Sequence, residues 1–288
     1  MIDIDEIFNS FDNEIKSRVD VKSIISECRK LINDKFGNIC FIEEGHQYHI
    51  GDVEYTPVSN IIKKYEPYVD WDKNAADYAI KYGKKKENVQ KDWKLNNLKS
   101  IISGTRTHEF GESYTNVLCG HPELICEQNK PQYIKEFNTM VSTYPKEDAI
   151  KKFYDDLEKN LHPVGAEFKL STEYMTGTLP ICGTCDLLFY DSESDSYVIG
   201  DWKTNKSLIN EFNRNHHTTM TGCLSNFIEE ALSHYTVQFN IYQKMLESIG
   251  IKITDRILIW LKDDGTYERI NIRKIDDSIM DKIMKGVD

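Results

Sequence analysis

This 288-residue chain lacks any apolar run approaching the ~18 residues that a membrane-spanning helix needs, so the sequence predicts no membrane partner. It also lacks a basic n-region: the opening MIDIDEIFNSFDNEI is acidic, so no secretory leader is expected. With 15 glycines and 7 prolines, collagen-like and low-complexity architectures are excluded. Positive charge is in the minority. Lys+Arg number 36 against 47 Asp+Glu, a net charge of −11, which excludes a histone-like coat that grips nucleic acid through bulk charge. It leaves room for an enzyme that meets DNA through one local basic groove and bound metal ions. The 7 cysteines are odd in number and scattered, as free thiols of a reducing compartment would be. The expected location is the cytoplasm, or the host cell's cytoplasm for a viral protein. The length suits two domains or one large α/β domain, and a full core needs neither disulfides nor structural metal.

Residues 1–36 read as an acidic helix, with Ile4, Ile7, Phe8, Phe11 and Ile15 at helical offsets. Short hairpin strands follow around Glu44-Gly45 and Gly51-Asp52, then a short helix that Pro67 ends. From Asp70 to about Cys119 the pattern is helical and lysine-rich, and further helices are expected near 132–143 and 147–160. The second half reads differently. VGAEFKLSTEYM, LPICGTCDLLFYD and SYVIGDWKT are strand-like, a helix spans SHYTVQFNIYQKMLESI, and two more strands and a helical tail complete the chain.

Asp186 lies on the second of those strands, and Asp201-Trp202-Lys203 ends the third. A hairpin between them would bring Asp186 and Asp201 together. Residues i and i+2 of a strand share a face, so Lys203 joins Asp201 while Trp202 points away. Two carboxylates and an ammonium on one surface suit a hard divalent cation and a phosphate. Alone, an Asp-x-Lys is usually an exposed ion pair. Its company changes the reading. GTRTHEFGESY reads as the opening of a helix capped by Ser103 or Thr105, with His108 and Glu112 on one face and Phe110, Tyr114, Val117 and Leu118 on the other. Glu167 starts the first strand run and could add a carboxylate, and Gln238 and Tyr242 stand one turn apart on the later helix.

Together and in this order, these residues resemble the PD-(D/E)XK nuclease superfamily, specifically its RecB-like exonuclease branch, which includes genome-maintenance exonucleases of phage and mitochondria. The family pattern is Gly-x-x-x-His on a helix, Gly-x-x-Asp and Asp-x-Lys on successive strands, and Gln-x-x-x-Tyr on a following helix. Here these are GTRTH from Gly104, GTCD from Gly183, DWK from Asp201 and QFNIY from Gln238, within a resemblance covering about residues 41–261. The resemblance implies an α/β fold with a restriction-endonuclease-like core: a helix, a three-stranded antiparallel start of a mixed sheet, a helix and further strands. That core is placed at 161–288, with an N-terminal helical region, a small β-hairpin and the His-bearing helix at 1–160. By the resemblance, His108, Asp186 and Asp201 ligate Mg²⁺ or Mn²⁺, with the backbone carbonyl of Trp202 as a further ligand. Lys203 serves the attacking water, and Gln238 and Tyr242 orient the site and the phosphates. Glu167 and Glu112 are added as ligands on position alone. Some members carry an iron–sulfur cluster built on three cysteines after the Gln-Tyr helix; no cysteine follows Cys223, so none is expected. Cys182-x-x-Cys185 has a zinc-like spacing but reads as two buried strand thiols.

The one basic stretch, KYGKKKENVQKDWKLNNLK, interleaves Lys84, Lys85 and Lys86 with aromatics including Trp93, a pattern suited to a single strand's phosphates and bases. The connection 204–232 is long enough to suggest function, and its Lys206 and Arg214 could close over nucleic acid. The sequence therefore predicts a metal-dependent DNA exonuclease acting on single-stranded ends, in replication, recombination or repair. The alternatives are a structure-specific endonuclease with the same site, or a nucleic-acid-binding nuclease subunit active only in a complex.

Overall fold

The structure, a computed structural model, describes residues 4–45 and 47–287, with side chains from residue 20 onward. It is a mixed α/β fold around one large mixed sheet. Three strands form its centre: β6 (Leu161–Ser171), β7 (Ile181–Asp191) and β8 (Ser196–Lys203) run antiparallel in sequence order. From β8 the chain crosses over through α7 (Ala231–Glu247) to β9 (Ile253–Leu261), parallel to β8, and β10 (Tyr267–Asn271) pairs back on β9. A parallel pair needs such a crossover, and a helix supplies it.

Strand alternation divides the core between the two faces of the sheet. On one face Leu188, Ile199 and Leu258 pack against Val237, Ile241 and Met245 of α7 and Met280 and Ile283 of α8 (Asp277–Lys285). On the other, Leu187, Phe189, Trp202, Ile257 and Ile259 meet Phe110 and Tyr114 of α4 (Lys86–Leu118) and Ile150 and Phe153 of α5 (Pro145–Asp155). Phe153 packs edge-on against Trp202 with ring centroids 5.3 Å apart.

The N-terminal elements join the same sheet. α1 (Ile4–Phe36) buries Cys28, Ile32 and Phe36 in the first core, and β1 (Cys40–Ile42), β2 (Gln47–Ile50) and β3 (Val53–Pro57) form a meander. β3 then runs parallel to β7, with Thr56 opposite Ile181 and Pro57 opposite Cys182. β6 occupies one edge of β7 throughout, so β3 and β8 share the other: β3 at 181–182 and β8 from Leu187 onward. Residues 183–186 lie in the fork between them. α2 (Val58–Lys63) caps that end of the sheet. The sequence stripe Ile4 to Ile15 falls on side chains outside the described ones. Among the described residues no helix is long and apolar enough to cross a membrane.

Several local expectations are corrected. The helical run from Asp70 is two helices. Gly83 at φ 62 ends α3 (Trp71–Tyr82) in a left-handed cap, and the chain folds back as α4. α4 runs unbroken through GTRTH, so Ser103 and Thr105 are interior and cap nothing; Thr107 Oγ1 instead donates to the Ser103 carbonyl. Leu118 is exposed rather than core-facing. α2 stops at Lys63, before Pro67. The expected helix at 132–143 is two short strands, β4 (Tyr133–Ile134) and β5 (Thr139–Met140), turning at Asn138 with φ 45. Between β8 and α7 lies α6 (Glu211–Asn215), capped by the Asn210 side chain.

Candidate metal and phosphate site

Three carboxylates form one row across the sheet. Ala166 pairs with Leu187 and Phe168 with Cys185, which sets Glu167 across from Asp186; Leu187 pairs with Gly200, which sets Asp201 on its other side. The row crosses β7 at the mouth of the fork. Glu167 holds φ at 56, a left-handed conformation that disfavours a non-glycine residue by roughly 1–2 kcal/mol. Such strain concentrates at functional sites.

Helices on both sides complete the site. From α4, His108 Nδ1 stands 2.9 Å from Asp186 Oδ2. Lys203 Nζ lies 2.7 Å from Asp201 Oδ2 and 4.4 Å from the centroid of the Tyr235 ring on α7. Tyr235 is held in turn, its hydroxyl donating to Asn205 Oδ1 at 2.7 Å. One turn further along α7, Gln238 Nε2 donates to the Tyr242 hydroxyl at 3.0 Å. Glu112 accepts from the Cys126 thiol at 3.2 Å. His108, Glu112, Glu167, Asp186, Gln238 and Tyr242 are among the walls of a cleft of about 770 Å³.

Glycines set two close approaches. A Cβ on Gly183 would stand 2.7 Å from Tyr242 Cε1, so this glycine lets the tyrosine lie on the β7 backbone. A Cβ on Gly111 would meet the Trp202 indole nitrogen at 2.6 Å, on the opposite face of the sheet. Trp202 thus anchors β8 in the α4–α5 core while its neighbours Asp201 and Lys203 face the site.

Burial concentrates the charge. Burial, and then the Asp186 charge, push Glu167 well above the usual carboxylate range. The same two causes raise Asp201, with Lys203 opposing them. For Asp186 burial acts upward as well, yet His108 and then Lys203 outweigh it and hold its carboxyl low. Burial works against the Lys203 cation, but Asp201 and Asp186 together raise its pKa. Glu112 is raised by burial, which the Cys126 hydrogen bond only partly offsets.

The donor set fits a divalent cation. Ligand atoms of His108, Glu167 and Asp186 all lie within 4.8 Å of one another. Asp186 Oδ2 and both Asp201 oxygens are sealed from solvent without a hydrogen bond of acceptable geometry, their ion pairs notwithstanding. Buried anions in this state call for a cation. Carboxylate oxygens with one imidazole suit a divalent cation, and Asp201 lies beside that trio, joined to Lys203. Tyr235 was missed in the sequence, although it sits three residues before Gln238 on the same face of α7, the signal that could have found it.

The expected nucleic-acid contacts are dispersed. Lys84, Lys85 and Lys86 lie at the α3–α4 turn, where Lys86 pairs with Asp72 at 2.5 Å and Lys84 with Asp92 at 3.9 Å. Trp93 is half-buried against Ala75, Ala79 and Val89, edge-on to Trp71 at 6.2 Å. Trp71 is the exposed ring of that pair. Lys206 is exposed, while Arg214 is engaged by both carboxylate oxygens of Glu230, at 2.7 and 2.8 Å.

The chain matches no protein-family model and no curated protein. Among solved structures it is similar to one from Eubacterium rectale described as a "Putative exonuclease", with 11% identity and a TM-score of 0.34 over 62% of this chain. The chain spans 61% of that structure's length.

Proposed function

We propose that this protein is a divalent-metal-dependent deoxyribonuclease of the PD-(D/E)XK superfamily and its RecB-like branch, an exonuclease acting on single-stranded DNA ends. The observation that carries the reading is the row Glu167–Asp186–Asp201 at the fork of β7, half-buried at Glu167 and buried at the two aspartates, flanked by His108 and Lys203. In this reading residues 161–288 form the catalytic core, and 1–160 contribute His108 and a helical arm.

His108, Glu167, Asp186 and Asp201 would hold Mg²⁺ or Mn²⁺, with the Trp202 carbonyl as a further donor. When bound, the metal lowers the pKa of a water and stabilises charge on the phosphate. Lys203, held between Asp201 and the Tyr235 ring, presents its ammonium to the attacking water or to the charge developing on a phosphate oxygen. Gln238 and Tyr242 orient one another on the cleft wall, where a phosphate would dock.

The test is incubation of end-labelled linear and circular DNA, single- and double-stranded, with Mg²⁺, Mn²⁺ or EDTA, beside matched RNA. Metal-dependent release of short products from linear single strands, with circles intact and Asp186→Ala inactive, supports the reading. Cleavage of circles would move the assignment to an endonuclease. No cleavage under any metal would overturn it.

A further inference from the structure

The walls of the candidate cleft include Glu43, Glu109, Glu112, Glu167 and Asp186 but neither a lysine nor an arginine among the described residues. A phosphate backbone lying wholly within it would meet neutral side chains, His108 and carboxylates, with no fixed ammonium or guanidinium to balance its charge. A second cleft, of about 520 Å³, shares Glu167 as a wall. Its other walls include Arg29, Lys30, Asn33, Phe36 and Lys169, so three cations face the single carboxylate Glu167. Arg29 is fixed in place, since its Nη1 donates to the carbonyl of Val164 at 2.7 Å, at the β6 irregularity where Val164 has no partner on β7. Lys169 is exposed and Lys30 is joined to Asp34 at 2.5 Å.

We infer that the DNA strand passes from the metal cluster into this second cleft, where Lys169, Lys30 and Arg29 hold phosphates beyond the scissile one. The inference rests on the nuclease reading above. It assigns the counter-charge for the substrate to the α1–β6 side of the molecule, away from the lysines of the α3–α4 turn. Complementarity of charge is the argument: the only cationic wall adjoining the trio of donors lies here, among the described residues of these two clefts.

The experiment measures binding of short and long oligothymidylates, with Asp201→Asn as the background in place of the active protein, across a salt series. Each lost phosphate contact on a single strand lowers the slope of log affinity against log salt by roughly 0.7, so Lys30→Gln with Lys169→Gln is expected to lower it by up to about 1.4. The loss is expected for the long oligomer and not for thymidine monophosphate. Lys169→Arg, which keeps the charge, is expected to keep the slope, and an unchanged thermal unfolding midpoint relative to the Asp201→Asn background reports that the fold is intact. An unchanged slope in the double variant overturns the inference while leaving the nuclease reading standing. So does an equal loss for monophosphate and oligomer, which would make the cleft a mononucleotide pocket. A background protein that binds no oligomer even at low salt overturns the inference, and the cleavage assay above then decides the nuclease reading separately.

Discussion

Tyr242 lies against the backbone of Gly183, in space that any other residue's side chain would fill. A Cβ there would approach the tyrosine ring to 2.7 Å, its hydroxyl to 2.9 Å and Val58 Cγ2 to 2.9 Å. Two residues far apart in the chain, each one end of a short motif, therefore depend on one another. The glycine of Gly-x-x-Asp is a packing requirement set by the tyrosine of Gln-x-x-x-Tyr.

Gly183→Ala should accordingly destabilise the protein by about 1–3 kcal/mol through overpacking, and reduce cleavage by displacing Tyr242. Thermal unfolding of the single variants and of Gly183→Ala with Tyr242→Ala measures the coupling. The double variant should lose less than the sum of the singles, because the clash with the ring disappears and only that with Val58 Cγ2 remains.

Asp186→Ala and Asp201→Ala should each abolish cleavage without unfolding the chain. Without metal, Asp201→Ala should be at least as stable as the parent, because burial and Asp186 raise the Asp201 carboxyl, whereas Asp186→Ala should be less stable, because His108 and Lys203 hold the Asp186 carboxyl low. The parent should gain thermal stability with Mg²⁺ or Mn²⁺, lose it on chelation, and the variants should show little response. A full metal response in Asp186→Ala would dismiss the proposed donor set.

Glu167 gives a pH dependence with a definite sign. Its folded pKa is raised by burial and by Asp186, so its contribution to stability is complete below its unfolded value near 4.3 and is lost as pH rises through the folded value. Without metal, Glu167→Gln should therefore be the more stable protein at neutral pH, and the advantage should vanish in mild acid. Unfolding curves of the two proteins across that range decide it; a difference that stays constant with pH contradicts the assignment.

Lys203→Ala should reduce the rate by ~10² or more with little effect on DNA binding. Tyr235 tests how the ammonium is held. Tyr235→Phe keeps the ring face and loses only the Asn205 hydrogen bond, so most activity should survive; Tyr235→Leu removes the cation–π contact and should depress kcat more than it raises KM. Equal behaviour of the two variants would reduce Tyr235 to packing.

Trp93→Ala should destabilise the α3–α4 hairpin, since its ring packs on Ala75, Ala79 and Val89. Trp71→Ala should leave stability nearly unchanged, because that ring is largely exposed. If the arm stacks on bases, Trp71→Ala should weaken DNA binding by ~1–3 kcal/mol, read by fluorescence anisotropy.

The sequence by itself determined the order of elements and the four short motifs, because each motif lies within one strand or one helix. Period-2 alternation placed Trp202 opposite Asp201 and Lys203, and helical spacing placed His108 with Glu112 and Gln238 with Tyr242. Where it failed, a distant partner was decisive. The spacing pattern at 132–143 suits a helix, but Asn138 adopts a left-handed turn and two strands pair instead. Lysine and aromatic residues in the basic stretch gave no sign that Trp93 would be absorbed by α3, and nothing in the connection 204–232 showed that Arg214 would be engaged by Glu230. Only the tertiary structure decided that Glu167 faces Asp186. That alignment depends on the register of β6 against β7, which shifts at the irregularity between Pro163 and Gly165, and on the left-handed backbone of Glu167 itself. Register is a property of two strands together, and a one-residue slip would turn every side chain of β6 to the other face.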